Sequence, residues 1–312
     1  MTVQECVSFL RSHDDYLLIT HTRPDGDTLG SAAALCSALK RMGKTAWLYP
    51  NREATEKYLP YVRQYFAPKG YTHQTVVSVD TADTHMFAQG FDGPVDLAID
   101  HHGSNSGYAV RNLICPECAA CGEIVLEIIK TLCGGMTPEE AALLYIAIST
   151  DTGCFQYMNT NARTLRAAAE TIEAGADNGR LNVEFFRSVP RARITLEGMI
   201  YRDMRFYRGG KIVIAPVTKK MLSMSGVSDN DLDDLAGLAG RPEGSIVSIT
   251  VKEKTPALWK VSMRSKPEVN VSDLCARFGG GGHAMAAGCS IEGDLESVIS
   301  AILEAIDEEW PA

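Results

Sequence analysis

Val95-Asp96-Leu97-Ala98-Ile99-Asp100-His101-His102 runs an apolar segment straight into a carboxylate and two imidazoles. Three other stretches do the same. Residues 16–20 run into His21-Thr22-Arg23-Pro24-Asp25-Gly26-Asp27, residues 75–79 end at Asp80, and residues 141–148 are followed by Asp151. Open parallel sheets place ligand sites beyond the carboxyl ends of their strands. Asp and His pooled there, without Cys, are ligand chemistry for hard or borderline divalent ions such as Mn²⁺ or Mg²⁺.

Outward from these segments, residues 1–180 alternate short apolar runs with helical stretches, the rhythm of a βαβ sheet. Strands are expected at 16–20, 45–49, 75–80 and 95–100, with an Ala/Leu-rich helix at 28–42. Thr137-Pro138-Glu139-Glu140 supplies N-cap, N1 and N3 residues for a helix that delivers Asp151 at its end, and a last helix over 164–174 stops at Gly175. The composition then shifts. Asp177-Asn178-Gly179, Pro190 and the arginines at 187, 191 and 193 read as a linker with solvated charges, set at 181–196. Residues 197–312 read as hairpins, 204–207 with 211–217 and 245–251 with 258–263, followed by helices at 272–278 and 294–309. The expected architecture is α/β: a parallel-sheet N-terminal domain over 1–180, joined by the linker to a smaller α+β domain.

Length agrees, since 312 residues are about two typical domains. No apolar run approaches the roughly 20 residues of a membrane span, and the N-terminus lacks a basic-then-apolar leader, so a cytoplasmic enzyme without a membrane partner is expected. Net charge is −9, and the acidic excess occurs in both halves: residues 1–196 hold 17 basic and 22 acidic residues. A chain that tracks long nucleic acid needs a basic face. Any nucleic-acid substrate is therefore expected to be short.

Nine cysteines include Cys115-Pro116-Glu117-Cys118-Ala119-Ala120-Cys121, which has the two-residue spacing of iron–sulfur ligands but no fourth cysteine in register. They read as small residues at the entrance of an amphipathic helix, and the spacing alone leaves open whether they bind anything.

Asp25 and Asp27 sit in a Pro-Asp-Gly-Asp turn before a helix, where N-terminal amides favour anions. Any one of these residues has a plainer explanation: an Asp at a strand end is often a helix cap, His21 could be a hydrogen-bonded core imidazole, and Asp83 reads as a turn residue. Four clusters choosing Asp and His every time weaken that explanation jointly.

At this point the sequence resembles the DHH phosphoesterases, over nearly the whole chain. The four motifs are His21-Thr-Arg-Pro-Asp25-Gly-Asp27-Thr-Leu-Gly30-Ser31, Ser78-Val-Asp80-Thr-Ala-Asp83, Ile99-Asp100-His101-His102-Gly-Ser-Asn105 and Ser149-Thr-Asp151-Thr-Gly153. The resemblance implies two divalent ions, Mn²⁺ foremost with Mg²⁺ or Co²⁺ as substitutes. One is implied on His21, Asp25 and Asp80, and the other on Asp27, Asp80, His101 and Asp151. Asp80 would bridge them in catalysis, Asp100 would orient the imidazoles, and His102 would contact phosphate or supply a proton. A water shared by two such ions deprotonates near neutral pH and can attack phosphorus in line.

The second string is Phe278-Gly279-Gly280-Gly281-Gly282-His283-Ala284-Met285-Ala286. Consecutive glycines let backbone amides approach an anion, and a short helix can start after them. Here the chain resembles the DHH-associated C-terminal domain, which implies that Gly280, Gly281, Gly282, His283, Arg264 and Ser265 grip the nucleotide end of a substrate, with the active site in a cleft between domains. The glycine–His string argues against type II inorganic pyrophosphatases, and the modest length against RecJ-like exonucleases. The compact two-domain form resembles the NrnA type, and that resemblance implies hydrolysis of short oligoribonucleotides and of 3′-phosphoadenosine 5′-phosphate. Cyclic or linear di-AMP is the alternative substrate, and a nucleotide-binding sensor module is the non-enzyme alternative. A homodimer is compatible with all of these.

Overall fold

Strands buried on both faces form the centre of the first unit. In the computed structural model, which describes residues 1–227 and 235–310, the chain divides into Met1–Ser188 and Val189–Ala312. The first unit runs α1 (Val3–Ser12), β1 (Tyr16–Ile19), α2 (Gly26–Arg41), β2 (Ala46–Leu48), α3 (Leu59–Val62), β3 (Thr75–Val79), β4 (Leu97–Asp100) and β5 (Arg111–Ile114). It continues with α4 (Cys121–Cys133), α5 (Pro138–Asp151), α6 (Ala162–Glu173) and α7 (Asn178–Asn182). All strand pairs are parallel in the order β2-β1-β3-β4-β5. Every residue of β1, β3 and β4 is buried, which explains their unbroken apolar runs.

One face of this sheet, with Leu18, Val77, Val79, Leu97 and Ile99, joins the main core with apolar residues of α1, α2 and α4. The other face carries Ile19, Val76 and Ala98 under Phe87, Val95 and Ala109. Helix α2 lies very close to α5. A Cβ on Gly30 would stand 2.5 Å from the Leu143 carbonyl oxygen, so glycine is required there by the approach of two backbones. The capping box read at Thr137 and Glu140 is present: Thr137 Oγ1 accepts from the Glu140 amide, and the Glu140 carboxylate accepts from the Thr137 amide.

The second unit runs α8 (Arg191–Asp203), β6 (Arg205–Tyr207), β7 (Ile212–Val217), α9 (Lys219–Ser225), α10 (Leu235–Leu238), β8 (Val247–Thr255) and β9 (Leu258–Ser265). It ends with α11 (Val271–Ala276), β10 (Gly281–His283), β11 (Ala286–Glu292) and α12 (Leu295–Glu309). Its sheet has the order β10-β11-β9-β8-β7-β6, antiparallel except for β7 with β8. Both hairpins read from sequence form. Apolar residues of α11 and α12 pack on one face, and those of α8, α9 and α10 on the other. The architecture is thus α/β, with a parallel five-stranded sheet and a separate mixed one.

Two stretches differ from the sequence reading. The stretch read as a linker is helical on either side of a break at 188–190: Asp177 caps α7 by accepting from the Arg180 amide, a π-helical turn covers Val183–Arg187, and Pro190 precedes α8. Turn-forming residues there start helices rather than interrupt them. The glycine run does not open a helix either; it leads into the β10–β11 hairpin.

Candidate metal centre

The order of the parallel sheet reverses between β1 and β3, and loops that leave such a switch point in opposite directions open a crevice above the strand ends. His21 follows β1, and Asp25 and Asp27 open α2. Asp80 follows β3, His101 follows β4, and Asp151 arrives on the last turn of α5. The topology brings these six side chains together. His21 Nε2 lies 3.6 Å from Asp25 Oδ1 and 3.8 Å from Asp80 Oδ2. His101 Nε2 lies 3.4 Å from Asp80 Oδ1, 3.7 Å from Asp151 Oδ2 and 3.8 Å from Asp27 Oδ2. Each oxygen of Asp80 therefore faces a different imidazole. The groups His21, Asp25, Asp80 and Asp27, His101, Asp151 could each hold an ion.

The surrounding hydrogen bonds fix the orientation of these side chains. His21 Nδ1 donates to its neighbour's carbonyl at Thr22 (2.7 Å), and His101 Nδ1 donates to the Cys118 carbonyl (3.2 Å). A carbonyl oxygen can only accept, so each ring carries a proton on Nδ1 and turns Nε2 toward the carboxylates. Asp27 is completely buried, and its carboxylate accepts from the Cys121 and Gly122 amides at the start of α4 (2.6 and 2.9 Å) and from Ser31 Oγ (2.9 Å). Asp25 is the N-cap of α2, accepting from the Asp27 and Thr28 amides, so the plainer capping role holds alongside its place in the cluster. Asp83 caps a short turn through the His85 amide, as read.

Asp100 corrects one expectation. It does not orient both imidazoles: its Oδ1 accepts from His102 Nδ1 (2.8 Å), whereas the ring of His101 is held by Cys118. A third group of potential ligands, Asp80, His101 and His102, exists. The His102 atom near Asp80 is Nδ1, however, at 3.6 Å, and that nitrogen is already committed to Asp100. His102 thus keeps Nε2 for another partner.

Electrostatics test whether cations fit. Burial penalises the charged imidazoles, yet the Asp25 hydrogen bond and charge, with Asp80, lift His21 to about 9. Asp80, Asp27 and Asp151 overcome burial in the same way and lift His101 to about 10. Burial and neighbouring negative charge push Asp27 well above the carboxylate range, and burial first, with Asp80 and Asp25, raises Asp151 to about 6. The cluster thus carries more negative charge than its surroundings neutralise. Asp80 makes the point most sharply. Its Oδ1 is buried and accepts no hydrogen bond among the described residues, and its backbone holds the left-handed conformation at φ 58°. An unsatisfied buried carboxylate oxygen between two imidazoles is what a cation would neutralise. The oxygen–nitrogen donor set suits a divalent ion of the Mn²⁺ or Mg²⁺ type.

In the second unit, strand register aligns His283 with Ala286 and Ala286 with Arg264. These three share a row on one face of the sheet, and two strand spacings put His283 and Arg264 roughly 10 Å apart across a small alanine. Both are exposed. The glycines have separate duties. A Cβ on Gly280 would stand 2.2 Å from the Gly288 carbonyl oxygen, and Gly282, at φ 149°, would meet the Ala286 carbonyl at 2.5 Å, so both are required for the hairpin. Gly281 meets nothing within 4 Å. Ser265 Oγ donates to the Val269 carbonyl (2.6 Å), which makes it a loop brace in this structure.

Sequence reasoning gave no role to Asn105, although it stood in the third motif; its Nδ2 donates to Asp100 Oδ2 (2.7 Å). The carbonyl of Cys118 and the amides of Cys121 and Gly122 were also missed, because backbone groups leave no side-chain signal. None of the potential ion-holding groups among the described residues includes a cysteine.

Comparison with known proteins completes the picture. Residues 15–148 match the DHH family N-terminal domain, and residues 209–310 match the DHHA1 domain. The chain is 33% identical to the bifunctional oligoribonuclease and PAP phosphatase NrnA of Thermus thermophilus, over 94% of this chain and 89% of that one. It is 25% identical to the Bacillus subtilis protein of the same name, over 98% of each. Among solved structures, an exopolyphosphatase-related protein from Bacteroides fragilis superposes with a TM-score of 0.86 at 20% identity, covering 98% of this chain and 95% of that one. Exonuclease RecJ bound to manganese superposes at 0.57 with 14% identity, covering 100% and 95%. Both share the fold. With the two domain matches in order and a third of its residues identical to a relative aligned almost end to end, the chain belongs to the DHH family of phosphoesterases, in its NrnA-type branch.

Proposed function

We propose that the chain hydrolyses short oligoribonucleotides to mononucleotides and removes phosphate from 3′-phosphoadenosine 5′-phosphate. Two divalent ions, Mn²⁺ foremost, would be held by His21, Asp25 and Asp80 and by Asp27, Asp80, His101 and Asp151. The observation that carries this reading is the Asp80 carboxylate, buried with Oδ1 unsatisfied and one oxygen toward each imidazole. The activity for which the NrnA relatives are named, oligoribonuclease and PAP phosphatase, supports the substrate class. When bound, such ions would lower the pKa of a water at the site and neutralise phosphoryl charge.

The chain's own residues do the rest. His102, fixed by Asp100 through Nδ1, offers Nε2 to a phosphoryl or leaving-group oxygen as a hydrogen-bond or proton donor. Arg264 and His283, exposed in one row, would bind the anionic end of the nucleotide, with the open Gly281 backbone between strand and ligand. Ser265 would act by bracing the loop beside Arg264. Net charge of −9 agrees with short substrates rather than long ones. The test is a panel of pyrophosphate, 3′-phosphoadenosine 5′-phosphate, di- to pentaribonucleotides and cyclic di-AMP, assayed with Mn²⁺. Initial rates should favour short oligoribonucleotides and the bisphosphate. A preference for pyrophosphate or cyclic di-AMP, or binding without turnover, would overturn the reading.

A further inference from the structure

We propose that Cys115 and Cys118 form a thiol pair that oxidises to a disulfide, and that this modification is felt at the candidate metal centre. Both are free thiols, their sulfurs lie 3.0 Å apart, and the Cys118 thiol donates to Cys115. A turn closed by the Cys118 amide on the Cys115 carbonyl (3.0 Å) holds the pair together. The sulfurs need approach by only about 1 Å to reach a disulfide's roughly 2.05 Å. Cys115 is partly exposed and has Arg163 Nη1 3.8 Å from its sulfur, whereas Cys118 is buried. Cys115 is therefore the attacking thiol and Cys118 the resolving one. Burial raises both thiols, so exchange is slower than at a surface dithiol.

The chemistry balances with a small disulfide as oxidant. The Cys115 thiolate attacks one sulfur of the oxidant and expels the other as a thiolate, forming a mixed disulfide. Cys118, losing its proton, attacks the Cys115 sulfur and expels the second thiolate. Two protein thiols are oxidised, one small disulfide is reduced to two thiols, and both protons end on them.

The link to the centre is the backbone just after the pair. The Cys118 carbonyl holds His101, the next carbonyl, Ala119, accepts from Asn159 Nδ2, and the same amide group donates to the Asp151 carbonyl. Three residues on, the Cys121 and Gly122 amides hold Asp27. One short segment thus supports three proposed ligands of one ion, and cross-linking its first turn alters that support. This consequence rests on the metal reading above; the disulfide itself does not.

The full-length chain is incubated with oxidised glutathione, mapped by peptide mass spectrometry, and titrated with Mn²⁺ before and after reduction. A 115–118 disulfide should form and weaken Mn²⁺ binding by about tenfold, as loss of a ligand's supporting partner does, and dithiothreitol should restore it. Cys115→Ser should bind Mn²⁺ like the parent and ignore the oxidant. Failure of that disulfide to form, unchanged Mn²⁺ affinity once it has formed, or oxidant sensitivity surviving in Cys115→Ser would each overturn the proposal. A reduced chain that binds no Mn²⁺ would instead overturn the metal reading, and with it the link to the centre.

Discussion

The two units handle negative charge by opposite means. In the first, carboxylates are buried against one another: Asp27 and Asp100 are fully enclosed and Asp80 is 2% exposed, at a density that only hydrogen-bond donors, protons or cations can neutralise. In the second, the candidate groups are cationic or neutral and face solvent, and the backbone approaches closely where side chains are absent. Residues of the first kind depend on charge as well as shape, because buried carboxylates this close set one another's protonation. Residues of the second kind are exact only where the hairpin packs.

The largest effect is expected at the bridge. Asp80→Asn keeps the shape and tolerates the φ of 58°, yet removes the charge shared between the two groups. Steady-state assays with Mn²⁺ should show a loss of about a thousandfold or more, with the melting temperature of the folded chain little lowered. Retention of more than a few per cent of activity would deny Asp80 a bridging role. Next come the exposed side chains of the second unit. Arg264→Ala and His283→Ala should each raise KM by about ten- to a hundredfold while Mn²⁺ content stays unchanged, and loss of metal in either would mean that they serve the first unit's chemistry instead.

The glycines sharpen the contrast within the hairpin. Gly280→Ala forces a methyl onto the Gly288 carbonyl and Cys289 and should cost about 1–3 kcal/mol of stability, measured by denaturant unfolding. Gly281→Ala has room and should leave stability nearly unchanged while lowering substrate use. Equal destabilisation by both would remove the distinction between packing and binding glycines.

The smallest expected effect is on pH dependence. His21 and His101 titrate near 9 and 10 instead of 6.5, so the stability they contribute is complete below pH 6.5 and is lost as pH rises through those values. The metal-free chain should therefore melt at progressively lower temperature between about pH 6.5 and 10, and a divalent cation should offset the fall. A metal-free melting temperature that rises across this window would contradict the charge imbalance of the cluster.

Much of this was legible in sequence because strand ends and helix caps are local. Apolar runs closing on Asp80, Asp100 and His101, and the capping box at Thr137, need only neighbouring residues to be read. The row of His283, Ala286 and Arg264 depends on strand register, and the enclosure of Asp27 depends on amides 94 and 95 residues away, which no local pattern encodes. Residues 178–187 misled for a different reason: Asp177 and Gly179 signal a turn and a helix cap alike, and only packing decides between them. The glycine run was ambiguous in the same way, although the alternating burial of Ala286–Glu292 after it marks a strand.

Metal content at Asp80 is the most direct test of the two-ion centre. Elemental analysis of the purified chain, with anomalous diffraction from Mn²⁺-soaked crystals, would locate and count the ions. Two Mn²⁺ flanking Asp80 in the parent chain, and fewer than two in Asp80→Asn, are predicted. Two ions still held in place by Asp80→Asn, or anomalous peaks only at a distance from Asp80, would contradict it.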